Sequence, residues 1–163
     1  MNGKRETESM AGGGEVLLLQ PASVREDVSA CFQELWLATR RKPWRTLALV
    51  PAQESLSVYR LALRLARAGE LAERAPIDVL RADCFGPQGL AQLADELRQG
   101  PPRGLSILSL GGLQARPFGA RLAQAADAVV IVLSLGETHL SDARRAASLI
   151  GRDKLLGCVA LRG

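Results

Sequence analysis

The chain has 163 residues, 47% of them apolar and 23% charged, which is typical of a soluble α/β protein with a hydrophobic core. Its net charge of +4 comes from 21 basic and 17 acidic side chains, and the arginines are interleaved with acids. This disfavours a nucleic-acid surface, so we expect nucleic acid to be reached only through a partner. No run approaches the ~20 apolar residues of a membrane helix, so we expect a cytoplasmic protein with no membrane insertion.

The first part of the chain divides into a leader and the start of a domain. Residues 1–14 are polar and then rich in glycine, and we predict a disordered leader, with residues 15–163 forming one domain. The apolar piece VLLL that follows is expected at the edge of this domain. A helix is predicted from about Val24 to Arg41, with Trp36 beside its apolar stripe.

The next segment reads as a buried strand, a turn and a helix. Thr46 to Val50 form an apolar run, and Pro51 stops it because proline lacks an amide hydrogen. From Ser55 on, apolar residues recur at helical spacing, and arginines fall on the opposite side. Gly69 is predicted to end this helix.

The rest of the chain repeats this alternation. Strands are predicted near residues 77–83, 105–110, 128–135 and 154–161, each separated from the next by a helical pattern. Strand and helix therefore alternate five times. This pattern predicts an α/β fold with a doubly wound, mainly parallel five-stranded sheet and helices on both faces.

The turn after the first of these strands occupies the position of a phosphate-binding loop. Residues 51–55 read PAQES, without the glycines that allow close approach to a phosphate and without a lysine. Glu54 would place a negative charge beside the anion. The start of the helix at Ser55 could still hold an isolated anion.

From Val16 to Leu161 the pattern resembles the cytoplasmic kinase domain of bacterial tyrosine kinases. These BY-kinases of capsule and exopolysaccharide systems belong to the MinD/ParA group of P-loop ATPases. The resemblance lies in the stretches VLLLQPASVREDVSACFQELWL, ARAG, ADAVVIVLSLGETHLSDARRAASLI and LLGCVAL. It implies a P-loop NTPase-like fold and a setting in polysaccharide synthesis or export.

The same resemblance implies that the nucleotide-binding positions are degenerate. Glu54 takes the place of the phosphate-loop lysine, Pro51 and Gln53 the places of glycines, and Ser55 that of the magnesium-binding hydroxyl. Ser109 occupies the position of the Walker B aspartate. From these positions we expect no catalytic residue, no cofactor and no enzyme activity, and instead a pseudo-ATPase that binds a protein partner.

The candidate residues for partner binding lie around the first helix. The family's ring-forming motif corresponds here to Ala30, Gln33 and Trp36, a change from charged to less polar residues that suits a heteromeric contact better than a homo-oligomer. The candidates are Trp36, Trp44, Arg40 and Arg41. The alternative is that Trp36 packs against Trp44 and the sheet.

Two other functions stay open at this point. The first is an enzyme of another kind that uses polar side chains at predicted strand ends, namely Asp78, Asp83, Glu54 and Ser109. The second is a SulA-like or RecA-like regulator of cell division or the DNA damage response, which would also act by binding proteins. A metal site is not expected, because the chain has one histidine, His139, and three well-separated cysteines.

Overall fold

The computed structural model describes residues 8–10, 14–19, 25–100, 103–114 and 117–162, with side chains from residue 30 onward. One sheet contains the strands β1 (Glu8–Met10), β2 (Gly14–Leu19), β3 (Thr46–Pro51), β4 (Ile77–Arg81), β5 (Leu105–Ser109), β6 (Ala128–Ser134) and β7 (Leu155–Leu161). The helices are α1 (Arg25–Thr39), α2 (Tyr59–Glu73), α3 (Pro87–Gln99), α4 (Pro117–Ala125) and α5 (Leu140–Ile150), with a 3-10 turn at Ala82–Cys84.

The strands lie in the order β1-β2-β7-β6-β3-β5-β4, with β3 between β6 and β5. All neighbouring strands are parallel except β1 and β2. The predicted parallel α/β sheet is therefore confirmed, and its five predicted strands are β3 to β7. The VLLL piece lies in β2, which extends the sheet beyond β7 as an additional parallel strand.

Part of the predicted leader differs from the expectation of disorder. Glu8–Met10 form β1, which pairs antiparallel with β2. Without β1, β2 would present a row of unpaired amide and carbonyl groups, so a short additional strand satisfies this edge. Residues 1–7 and 11–13 of the predicted leader lie outside the described residues.

Side chains alternate between the two faces of the sheet and form two apolar clusters. Leu47 and Leu49 of β3 belong to the cluster that contains side chains of α1 and α2. Ala48 and Val50 belong to the opposite cluster, which contains side chains of α3, α4 and α5. The central strand is buried on both faces, as expected for a parallel strand between two helical layers.

Gly69 does not end α2, so that prediction is wrong. The helix continues to Glu73, and Arg74 ends it in a left-handed conformation with φ of 52°. A Cβ atom at Gly69 would lie 2.4 Å from Cδ1 of Ile77 and 2.6 Å from the Trp36 ring. Glycine occurs here because the helix approaches these two side chains closely.

Candidate functional site at the carboxyl edge of the sheet

The turn after β3 lies at the carboxyl edge of the sheet, where ligands bind in many open α/β folds. It is held on the sheet by a hydrogen bond from the Ala52 amide to the Val132 carbonyl, 2.9 Å, and closed by one from Leu56 to the Gln53 carbonyl, 3.4 Å. The helix begins at Tyr59, four residues after the predicted start at Ser55. Ser55 is therefore an exposed turn residue, and the predicted helix start at this position is wrong.

The conformation of residues 53–58 explains why α2 begins at Tyr59 and not at Ser55. Residues 53–55 make a turn of their own, and three more residues bring the chain back to the sheet, where Val58 is 1% exposed. Val58 then accepts the hydrogen bond from the Ala62 amide, 2.9 Å. The apolar spacing from Ser55 onward could not distinguish this approach from a first helical turn.

Gln53 joins this turn to the loop after β6. Its side-chain oxygen accepts a hydrogen bond from the Thr138 hydroxyl, 2.9 Å, and the same hydroxyl oxygen accepts one from the Ser134 amide, 2.8 Å. The Ser134 hydroxyl in turn donates to the Glu137 carboxylate, 3.0 Å. These four side chains, which we call the edge network, link β3 and β6 where their following loops diverge. The Gln53 amide also lies 3.2 Å from the Ser55 hydroxyl.

Sequence reasoning selected Gln53 but missed its partners in the edge network. Ser134 is the last residue of β6, and Glu137 and Thr138 follow it. Strand β6 is adjacent to β3 in space and about 80 residues later in the chain. The signal that could have identified them is the cluster of hydroxyl and carboxyl side chains in SLGET, directly after the most apolar strand.

Glu54 lies against the loop that follows β5. A Cβ atom at Gly112 would approach Cγ of Glu54 to 2.8 Å and its Cα to 3.0 Å. A glycine at 112 therefore allows the two loops to contact each other. Glu54 is exposed, so this turn carries an acidic residue at the surface beside the edge network.

Ser109 ends β5 and lies in register with Leu49 of β3 and Arg81 of β4. It is 0% exposed, and its hydroxyl has no hydrogen-bond partner in the described part of the chain. A buried hydroxyl without a partner is costly, and such groups are uncommon in folded proteins. The residue at the predicted Walker B position is thus a buried polar side chain, next to the buried apolar residues Ile107 and Leu108 of the same strand.

The other polar side chains proposed for an alternative enzyme site are not brought together. Asp78 is the second residue of β4, in register with Ser106 near the amino end of β5. Asp83 follows β4 and forms an ion pair with Arg81, 3.2 Å, and this hydrogen bond raises the pKa of the Arg81 guanidinium. The Arg81 guanidinium also lies 5.0 Å from the Tyr59 ring centroid. Strand β5 separates this group from the turn that carries Glu54.

The two tryptophans are core residues, so the hypothesis that they form a partner surface is wrong. Trp36 is 1% and Trp44 4% exposed, and their rings meet edge to face with centroids 5.4 Å apart. Both indole nitrogens have partners: Trp36 donates to the Glu73 carboxylate, 3.3 Å, and Trp44 to the Thr39 carbonyl, 2.9 Å. The alternative that Trp36 packs against Trp44 and the sheet is confirmed.

Arg40 differs from the expected surface cation, whereas Arg41 lies on the surface. Arg40 donates to the Trp44 carbonyl, 2.7 Å, lies over the Trp44 ring at 4.9 Å, and approaches Glu73 to 3.5 Å. It therefore connects the ends of α1 and α2. Arg41 is exposed and lines a cleft of about 240 Å³ between the end of α1 and β7.

A different exposed surface lies on α2. Its outer face carries arginines and leucines at spacings of three and four residues, so these side chains share one side of the helix. Leu63 is 44% and Leu71 57% exposed. We call this surface the α2 outer face, and it comprises Arg60, Leu63, Arg64, Arg67 and Leu71.

No group of three or more His, Cys, Asp and Glu side chains among the described residues could hold a metal ion. No helix in the described ranges has the length and apolar character to cross a membrane.

The fold defines a class of protein before any individual relative is considered. A parallel sheet with β3 at its centre, helices on both faces and a turn at the carboxyl edge is a P-loop NTPase-like α/β fold. Among solved structures, the BceF tyrosine kinase domain is similar, with a TM-score of 0.64 and 12% sequence identity. The match covers 83% of this chain and 76% of that domain. No family model and no curated protein matches the sequence.

This comparison corrects one prediction. The expectation that the chain is not an enzyme is wrong as a conclusion from sequence, because a solved structure with the same fold is a tyrosine kinase domain. Missing motif residues do not exclude an enzyme, because α2 begins four residues after the position from which the motif residues are assigned. At 12% identity the similarity establishes the fold.

Proposed function

We propose that this domain acts by binding another protein, in bacterial exopolysaccharide synthesis or export. The setting is supported by the sequence resemblance to BY-kinases and by the fold shared with the BceF tyrosine kinase domain. The binding role is supported by one observation above all, the exposed arginines and leucines of the α2 outer face. Arginine is enriched at the centres of protein interfaces, and the exposed leucines beside it offer apolar area that binding can bury.

We prefer the α2 outer face to Trp36 and Trp44 because both tryptophans are buried in the core. The inner side of α2 packs against Trp36 and the sheet, so the helix is fixed in position. A rigid helix presents its outer side chains at defined spacings, which lowers the entropy cost of binding. The α2 outer face therefore replaces the Trp36 surface in this proposal.

The experiment is site-specific photo-crosslinking in the native cells. A photoreactive amino acid at Leu63 is expected to capture a component of the polysaccharide machinery. The same residue at Leu149 of α5, which is 38% exposed in the opposite helical layer, is the matched control. Capture from position 149 but not from 63 would contradict the proposed surface. Capture of a division protein or a DNA polymerase from position 63 would favour the SulA-like or RecA-like regulator.

We also propose that the turn at residues 51–55 is a degenerate phosphate loop. Glycine-free backbone, the exposed Glu54 acid and the commitment of Gln53 to Thr138 all oppose close contact with a triphosphate. Calorimetry with Mg-ATP is expected to give no binding in the micromolar range. Micromolar binding that weakens when Gln53 or Glu54 is changed would overturn the proposal.

A further inference from the structure

The α2 outer face carries three arginines, and two of them have no ion-pair partner in the part of the chain that the structure describes. Within the described residues, no carboxylate forms an ion pair with Arg60 or Arg64; Arg64 lies 5.9 Å from the Phe32 ring centroid. Arg67 has a partner in Glu70, 3.4 Å away. The outer face therefore keeps two uncompensated guanidinium groups one helical turn apart.

The acidic residues of α2 interact with groups other than Arg60 and Arg64. Its sequence contains two, Glu70 and Glu73. Glu70 contacts Arg67 and also accepts from the Ile77 amide, 3.5 Å. Glu73 accepts from the Trp36 indole and pairs with Arg40 at the end of α1. Neither carboxylate is positioned to neutralise the first two turns of the helix, where Arg60 and Arg64 lie.

This arrangement is unfavourable for the isolated helix. Like charges four residues apart repel each other by a few tenths of a kcal/mol, and cations near a helix N-terminus oppose the helix dipole. Arg60 is the second residue of α2 and Arg64 the sixth. Carboxylates supplied from outside would remove both penalties.

The leucines restrict what kind of acidic surface fits. Leu63 lies between the arginines, and Leu71 lies eight residues further along, a separation of about 12 Å at 1.5 Å per residue. A complementary surface needs apolar side chains along this line and acids on both sides of it. An amphipathic helix of about three turns has this pattern, because its side chains recur at the same spacing.

We propose that the α2 outer face binds an acidic amphipathic helix of a partner protein. This inference rests on the proposed protein-binding function and names the chemistry of the partner. Glutamates or aspartates of the partner pair with Arg60, Arg64 and Arg67, and apolar residues between them cover Leu63 and Leu71. Arginine suits this role because its guanidinium group binds carboxylates through two hydrogen bonds.

Two other polyanions fit less well. Single-stranded nucleic acid is bound through aromatic side chains that stack on bases, and the α2 outer face contains none. A helix that lies on an anionic membrane inserts its apolar face, whereas the apolar face of α2 is buried against the sheet. Both remain as outcomes of the experiment.

The test measures the binding of a defined peptide to the whole chain. The probe is a fluorescent helical peptide of about four turns with leucines two turns apart and flanking glutamates; its twin has glutamine at every glutamate position. Fluorescence anisotropy should detect binding of the acidic peptide to the chain. The glutamine twin should bind at least ten times more weakly. Raising the salt from 0.05 to 0.5 M should weaken the acidic complex severalfold, because exposed charges are screened.

Charge reversals locate the site. Arg60→Glu combined with Arg64→Glu should weaken binding at least tenfold, and glutamate near a helix N-terminus preserves α2. Arg144→Glu combined with Arg145→Glu makes the same charge change on exposed residues of α5, in the opposite helical layer, and should change binding less than twofold. Circular dichroism verifies that both variants are folded.

Several results would overturn the inference. These are no binding of the acidic peptide at 100 µM, equal binding of the glutamine twin, equal losses in both charge-reversed variants, or binding to anionic vesicles or oligonucleotides alone. If crosslinking from Leu63 still captures a protein while the peptide test fails, the binding function stands and the acidic-helix partner does not. If position 63 captures nothing, the proposed function itself fails.

Discussion

The α1–α2 interface and the carboxyl edge of the sheet are held together by different interactions. At the interface, Trp36 is 1% exposed and lies within van der Waals reach of Gly69, so shape determines which residues fit. At the edge, Gln53 and Thr138 join neighbouring loops through hydrogen bonds, and Ser109 is left without one. The interface should therefore respond to changes of volume, and the edge to changes of donors and acceptors.

The largest effect is expected from Trp36→Ala. Removing a buried tryptophan costs about 3–5 kcal/mol through lost transfer energy and the cavity that remains. Urea denaturation should report this loss. Leu37→Ala, at the next position with a side chain 64% exposed, is the control and should change stability by less than about 0.5 kcal/mol. A folded, fully stable Trp36→Ala protein would contradict the assignment of this residue to the core.

Gly69→Ala tests the same interface by adding volume. Alanine favours a helix over glycine by about 1 kcal/mol, but here its methyl group would overlap Ile77 and the Trp36 ring. Overpacking should outweigh the helical gain and leave a net loss of about 2 kcal/mol. Gly100→Ala is the matched control, since Gly100 has φ of −172° and open space around its Cα. A stabilised Gly69→Ala protein would mean that α1 and α2 can separate easily.

The contrast between the two regions explains what could be predicted from the sequence. Strands such as Ala128–Ser134 were recognised because an apolar run of this length is typical of a parallel strand buried on both faces. The helical stripe of α2 predicted its buried side correctly, since Leu61 and Leu65 are in the core. These features depend on local periodicity, which one sequence contains in full.

The roles of Trp36, Gly69 and Ser55 could not be predicted in the same way. A tryptophan beside an apolar stripe fits a core and a partner surface equally well, and only the packing of α1 against α2 distinguishes them. Gly69 was interpreted from local turn preferences, whereas its reason is a contact with Ile77 and Trp36. The turn after β3 was a candidate because of its position at the carboxyl edge of the sheet, and it does lie there. Trp36 and Trp44 were candidates because tryptophan is common at interfaces, and both are buried.

Thr138→Val should break the edge network while keeping the side-chain volume. The hydroxyl donates to Gln53 and accepts from the Ser134 amide, so valine leaves both groups without this partner. A loss of about 1 kcal/mol is expected, in line with hydrogen bonds at partly buried sites. Thr138→Ser keeps the hydroxyl and should recover most of the loss. If both variants are equally destabilised, the methyl group and not the hydrogen bonding holds the loops together.

The smallest expected effect is that of Ser109→Ala, which should raise stability where the other substitutions lower it. Ser109→Ala removes a buried hydroxyl that has no partner among the described residues, so unfolding stability should rise by up to about 1 kcal/mol. Ser134→Ala is the matched control at the carboxyl end of β6, because its hydroxyl donates to Glu137 and its loss should lower stability. Opposite signs in urea denaturation would mean that Ser109 is retained at a cost to the fold, as expected for a position kept for binding. A loss of stability in both variants would instead make Ser109 an ordinary structural residue. The residues at the carboxyl edge, like those of the α1–α2 interface, would then be explained by the stability of the fold.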